Sequence, residues 1–106
     1  LKLLVCIWAF GILERNLGSP MINLYHYNEG GSDKIWGWTN TDDGALSFWG
    51  RTRGSLSFKR YGSTIDAEDQ AYKKQRKGYR YVSNTDLLPE DFVGQLMLAK
   101  LGQTKF

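Results

Sequence analysis

A tryptophan set among cations is the arrangement in this chain best suited to do chemistry. Trp49 is followed by Gly50 and Arg51, then by Arg53, Lys59 and Arg60, with no acid between residues 51 and 60. An aromatic plane can stack on a base or sugar while guanidinium and ammonium groups neutralise phosphate, so this combination suits a nucleic-acid surface. A second basic block follows at Lys73, Lys74, Arg76, Lys77 and Arg80, again without an acid. At the end of a helix such cations are favoured by the backbone dipole without any ligand. The block therefore reads either as solvated surface or as phosphate contacts that position a nucleic acid without reading its sequence. Trp49 also has two readings: a stacking ring on a polar face, or a core residue covered by a helix.

Other chemistry finds little support. His26 and Cys6 are the only residues of their types, which argues against a zinc site, a Ser-His-Asp arrangement and an internal disulfide. The acid pairs Asp42-Asp43 and Glu68-Asp69 fall in a turn and at a helix start, where carboxylates are common without catalysis. Gly30-Gly31-Ser32 lacks the strand-to-helix setting and trailing Lys-Ser or Lys-Thr of a phosphate loop. No enzymatic activity and no cofactor or metal is expected. With nothing that calls for an oxidising compartment, a cytoplasmic home is expected, nucleoid-associated if bacterial.

The positioning elements can be read from the alternation of residue types. At 106 residues, with 42% hydrophobic and 14% aromatic residues, the chain suits one domain with its own core. A net charge of +3 hides the two basic blocks. Period-2 patterns predict strands over Ile22 to Asn28, Lys34 to Asn40, Ala45 to Arg51 and Ser55 to Tyr61, with loop residues at Glu29-Gly30-Gly31-Ser32-Asp33 and a turn at Thr41-Asp42-Asp43-Gly44. Thr52-Arg53-Gly54 is a short hairpin loop in which Gly54 takes the left-handed position. Ser63 and Asp66 have capping-box spacing for a helix that runs to Lys77 and stops at Gly78. A short fifth strand, Tyr79 to Val82, follows. After the link Ser83-Asn84-Thr85-Asp86, Pro89 can open a second helix with Phe92, Val93, Leu96, Met97 and Leu101 on one stripe. The expected fold class is α+β.

Residues 3 to 13 form an apolar run behind Lys2, too short to cross a bilayer comfortably and suited in length to a signal-peptide core. Glu14 and Arg15 follow at once, and cleavage after Ser19 would leave Pro20 next. Met21 stands just before the first strand. Residues 1–20 are therefore expected to be a leader, non-native or an over-extended start, with a helical extension and a poor signal peptide as the other readings. No membrane association is expected.

Alternation assigns Leu46, Phe48 and Gly50 to one face of the third strand, and Ser47, Trp49 and Arg51 to the other. Leu56 and Phe58 join the first, buried face; Ser57, Lys59 and Tyr61 join the second, which is expected to be polar and basic. Trp8, Trp36 and Trp38 lack basic neighbours and read as packing residues.

The segment Phe48-Trp49-Gly50-Arg51-Thr52-Arg53-Gly54 resembles the signature of the WGR domain, named for its central tripeptide. The resemblance extends over roughly residues 22 to 82: Leu24-Tyr25-His26-Tyr27 in the first strand, a Lys-Ile-Trp second strand, Ser57-Phe58-Lys59 in the return strand, the Asp66-Ala67 helix start and Lys77-Gly78-Tyr79. It implies a curved antiparallel sheet of four to five strands with one packed helix, here followed by an additional C-terminal helix. It also implies binding of DNA or RNA, or the relay of such binding to a partner. In the poly(ADP-ribose) polymerases that carry this domain, the motif tryptophan packs against the sugar-base surface at a DNA break. By this resemblance Trp49 would stack, Gly50 would allow close backbone approach, and Arg51 would contact phosphate or a partner. The expected organisation is a leader over 1–20, a WGR-like domain over 21–82, and a link with an amphipathic helix over 83–106. The function expected is structure-selective recognition of DNA ends, nicks or single strands, without sequence specificity. The alternative is a protein adaptor that meets its partner through the C-terminal helix.

Overall fold

A computed structural model describes residues 22–102 of the chain. The leader expected over residues 1–20, Trp8 with it, lies outside the described residues. Five strands come in the order β1 (Ile22–Glu29), β2 (Ser32–Thr41), β3 (Gly44–Arg51), β4 (Leu56–Tyr61) and β5 (Arg80–Val82). Helix α1 (Thr64–Lys77) joins β4 to β5, and a 3-10 turn (Thr85–Leu87) leads to α2 (Phe92–Lys100). The strands form one antiparallel sheet in the spatial order β4-β3-β2-β1-β5, an α+β fold as expected.

Local chemistry accounts for the joints. Gly30 and Gly31 have φ of 59° and 84°, both left-handed, and close β1 onto β2 in two residues. The strands consequently run on through Glu29, Ser32 and Asp33, which composition alone marks as loop. Helix α1 starts where Ser63 Oγ accepts a hydrogen bond from the Ile65 N–H at 3.1 Å. It ends where the Gly78 N–H donates to the Gln75 carbonyl and the Tyr79 N–H to the Lys74 carbonyl.

Both faces of the sheet are packed. On one, Leu24, Ile35, Leu46, Phe48 and Phe58 meet Leu87 of the 3-10 turn and Phe92, Leu96 and Ala99 of α2. The Phe48 ring lies 5.0 Å from Phe92 and 6.3 Å from Phe58 between centroids. On the other, Tyr25, Trp36, Trp38 and Ala45 meet Ala67 and Ala71 of α1, with Tyr79 beside them. Small alanine side chains let the helix approach this aromatic layer closely. The face expected to be polar is thus a second core over much of its area, and Ser47 within it is fully buried, its hydroxyl donating to the Lys59 carbonyl at 3.3 Å.

The stripe expected on the second helix is also corrected. Phe92 and Leu96 are buried, but Val93, Met97 and Leu101 are exposed, and Ala99 is completely buried in their place. The apolar positions of this segment span too wide an arc for one contact, and only the line 92, 96, 99 faces the sheet. The helix begins at Phe92 rather than Pro89. Two side chains fasten it: Gln95 Oε1 accepts from the Leu56 N–H at 3.2 Å, and Arg60 Nη2 donates to the Ala99 and Lys100 carbonyls at 2.6 and 2.7 Å.

Candidate nucleic-acid interface

The register brings four aromatic residues into one row across the sheet. Tyr81 of β5 pairs with Tyr25 of β1, Tyr25 with Trp36 of β2, and Trp36 with Trp49 of β3. The first three rings touch, with centroids 5.5 Å apart for Tyr81 and Tyr25 and 5.8 Å for Tyr25 and Trp36. Helix α1 covers the middle of the row, leaving Trp36 3% exposed; Trp49, at the β3 end, is 37% exposed. Of the two readings of Trp49, a wholly covered core residue is excluded.

Arg51 lies two residues on from Trp49, on the same face and exposed. Opposite it across the β2–β3 ladder is Lys34, also exposed and on this face. Lys34 was not among the residues the sequence singled out. Two signals point to it: its parity with Trp36 in β2, and the register that sets Trp36 against Trp49. Lys59 belongs to this face too, opposite Ser47, with Nζ 5.3 Å from the Tyr61 ring.

Gly50 is explained within the domain. A Cβ built there would run into the Ser55 carbonyl and come within 3.2 Å of Leu56 Cδ2. The close backbone approach that Gly50 permits is therefore one made by its own hairpin.

The loop after Arg51 is held from two sides. The Thr52 N–H donates to the Asp33 carbonyl at 3.1 Å, and Thr52 Oγ1 donates to Asp33 Oδ1 at 2.6 Å. His26 Nε2 lies 2.6 Å from the same carboxylate oxygen. The Thr52 hydroxyl first, and His26 next, hold the Asp33 carboxyl below its usual range. From the opposite side the Leu87 carbonyl accepts from the Arg53 N–H at 2.8 Å. Arg53, not Gly54, takes the left-handed position, with φ 64°. The correction follows from these anchors, which dictate the path of the loop and outweigh the preference of the left-handed region for glycine. Gly31, Ser32, Asp33, Lys34, Arg51 and Thr52 line an open concavity of about 360 Å³ at this end of the sheet.

The remaining basic residues divide. Arg60 sits on the opposite face with its guanidinium on the end of α2. Arg80 pairs with His26, and alternation sends it to that same opposite face. Along α1, Lys73 is 3.5 Å from Asp69, and the Arg76 guanidinium lies 5.8 Å from the Tyr72 ring. Lys77 is exposed in the last turn of α1. Lys74 turns back toward the sheet, its Nζ 5.4 Å from the Tyr79 ring. Burial pulls its pKa down, and the nearby charges of Lys77 and Lys34 add to the effect. The structure thus assembles Trp49, Arg51, Lys34 and Lys74 on one side of the sheet and sets Arg60 and Arg80 apart.

Among the described residues no group of three His, Cys, Asp or Glu is arranged to hold a metal ion, and no helix is long and apolar enough to cross a membrane. Comparison of the chain with protein-family models, with curated proteins and with solved structures gave no match.

Proposed function

We propose that residues 21–82 are a non-catalytic, WGR-like nucleic-acid-binding domain that recognises DNA ends, nicks or single strands. The observation that carries this reading is the open Trp49 ring at the end of the aromatic row, with Arg51 and Lys34 beside it on the same face. A ring accessible on one side can receive a base or sugar, and bases are free to stack where a duplex is interrupted or absent. Two cations next to the ring that join no ion pair among the described residues can meet the adjoining phosphates. Lys59 lies at the margin of the same surface, and Arg53 follows in the loop beyond Arg51, its backbone anchored to Leu87.

Fluorescence anisotropy on nicked, blunt and intact duplexes and on single strands tests the reading. Trp49→Ala is expected to weaken binding by about 1 to 3 kcal/mol, the worth of one aromatic stack. Unchanged affinity in that variant would remove stacking from the mechanism.

A second reading, a protein adaptor, is favoured by α2, where Val93, Met97, Leu98 and Leu101 are all exposed. Replacing Val93 and Met97 by Ser leaves the buried line of α2 intact. If the variant keeps the same mass in solution and the same bound proteins, the adaptor reading fails.

A further inference from the structure

Resting on the reading of Trp49 as a stacking residue, we propose that the backbone of the bound strand runs on from Arg51 across the sheet. It would end in a phosphate cradle formed by Lys34 of β2 and Lys74 of α1 over the Tyr27 and Tyr79 rings, with Lys77 at the helix end.

The cradle is a chain of contacts between residues far apart in sequence. Lys34 Nζ lies 5.1 Å from the centre of the Tyr27 ring, the Tyr27 and Tyr79 rings are 5.2 Å apart, and Lys74 Nζ is 5.4 Å from the Tyr79 ring. Two cations therefore stand at the two ends of a ring pair. Contact with a ring face attracts an ammonium without consuming all of its three N–H donors, which remain free for an anion.

Among the described residues no acid forms an ion pair with these cations. The ion pairs among the described residues are His26 with Asp33 and Lys73 with Asp69, and neither involves Lys34, Arg51, Lys74 or Lys77. The Glu29 carboxylate lies at the margin of the cradle, near the Tyr27 ring at the Gly78 position, and takes part in neither of those ion pairs. Burial first, and then the like charges of Lys77 and Lys34, push the Lys74 pKa down. Like charges gathered without an ion-pair partner repel, and a bridging phosphate relieves that repulsion.

The dimensions fit a strand. Arg51 pairs with Lys34 and Lys34 with Tyr27, so the path from Arg51 to the ring pair crosses two strand spacings, about 10 Å. That is the length of roughly three stacked nucleotides at about 3.4 Å each. A strand stacked on Trp49 would meet Arg51, Lys34 and Lys74 in turn.

The test uses the full chain and labelled oligothymidylates of about 4 and about 12 nucleotides, titrated with salt. A variant carrying Lys34→Gln and Lys74→Gln keeps much of both side-chain stems and is compared with the wild type, with Lys73→Gln and with Trp49→Ala. For the longer strand, the slope of log affinity against log salt is expected to fall by about 1.4 in the double variant, two phosphates at about 0.7 each. Tryptophan quenching on binding should persist there. Lys73→Gln should keep the wild-type slope, and Trp49→Ala should lose affinity with its slope preserved. An unchanged slope in the double variant, with binding intact, would overturn the cradle alone. A wild type that binds no oligonucleotide would overturn the stacking reading together with it. Inorganic phosphate should compete with the strand more strongly in the wild type than in the double variant, and equal competition in the two would mean that the backbone does not enter the cradle.

Discussion

On the side of the sheet that carries Phe48, the 3-10 turn and α2 leave Ile35, Leu46 and Phe48 without exposed surface. On the side that carries Trp49, α1 covers Trp36, Trp38 and Ala45 but leaves the β3 end of the aromatic row open. Phe48 and Trp49 are neighbours in sequence and both large and aromatic, yet one is at the centre of a core and the other is at its rim. Their difference lies in how far each covering helix reaches. A helix with an alanine contact face seals the middle of an aromatic layer and leaves its edge available.

The sharpest way to break this comparison is to truncate both rings. Phe48→Ala should cost about 3 to 5 kcal/mol of stability, since it empties a fully enclosed site against Phe58 and Phe92. Trp49→Ala should cost about 1 to 2 kcal/mol, because much of its surface is already in water. Urea denaturation of the two variants measures both, and equal losses would erase the distinction between the faces. Gly50→Ala probes the residue between the ring and the arginine. Its Cβ would meet the Ser55 carbonyl and Leu56, and overpacking of this kind costs about 1 to 3 kcal/mol. A neutral outcome would return Gly50 to a role in ligand approach.

The smallest effect concerns the loop that presents Arg51. Asp33 is held below its usual pKa by Thr52 and then His26, so its ionised form favours the folded state. That contribution is present above the unfolded value, close to 3.8, and is lost as pH falls through the lower folded value. Asp33→Asn should therefore be less stable than the wild type near neutral pH, and the gap should close below about pH 4. Thermal unfolding across pH measures it. A gap that does not change with pH would mean that the carboxylate charge is not what holds Thr52.

Much of the fold is written in short-range chemistry. The alternation in Leu46 to Arg51 sorts Phe48 from Trp49, Ser63 and Gly78 bracket α1, and Gly30-Gly31 closes a hairpin. Arg60 shows where that legibility ends. It is contiguous with Lys59 and reads as part of the same basic block, but alternation turns it to the other face, where the carbonyls at the end of α2 receive it. Lys34 shows the converse, a cation with no basic company in sequence that the β2–β3 register sets opposite Arg51.

Residue type and spacing were enough for the existence and order of the strands, the caps of α1 and the faces of Leu46, Phe48, Trp49 and Arg51, because those depend on backbone sterics and a period of two. The second core under α1, the left-handed Arg53, the buried line of α2 and the approach of Lys34 to Lys74 depend on tertiary packing. Each joins segments far apart in the chain, and no local preference encodes which distant side chain will be met there.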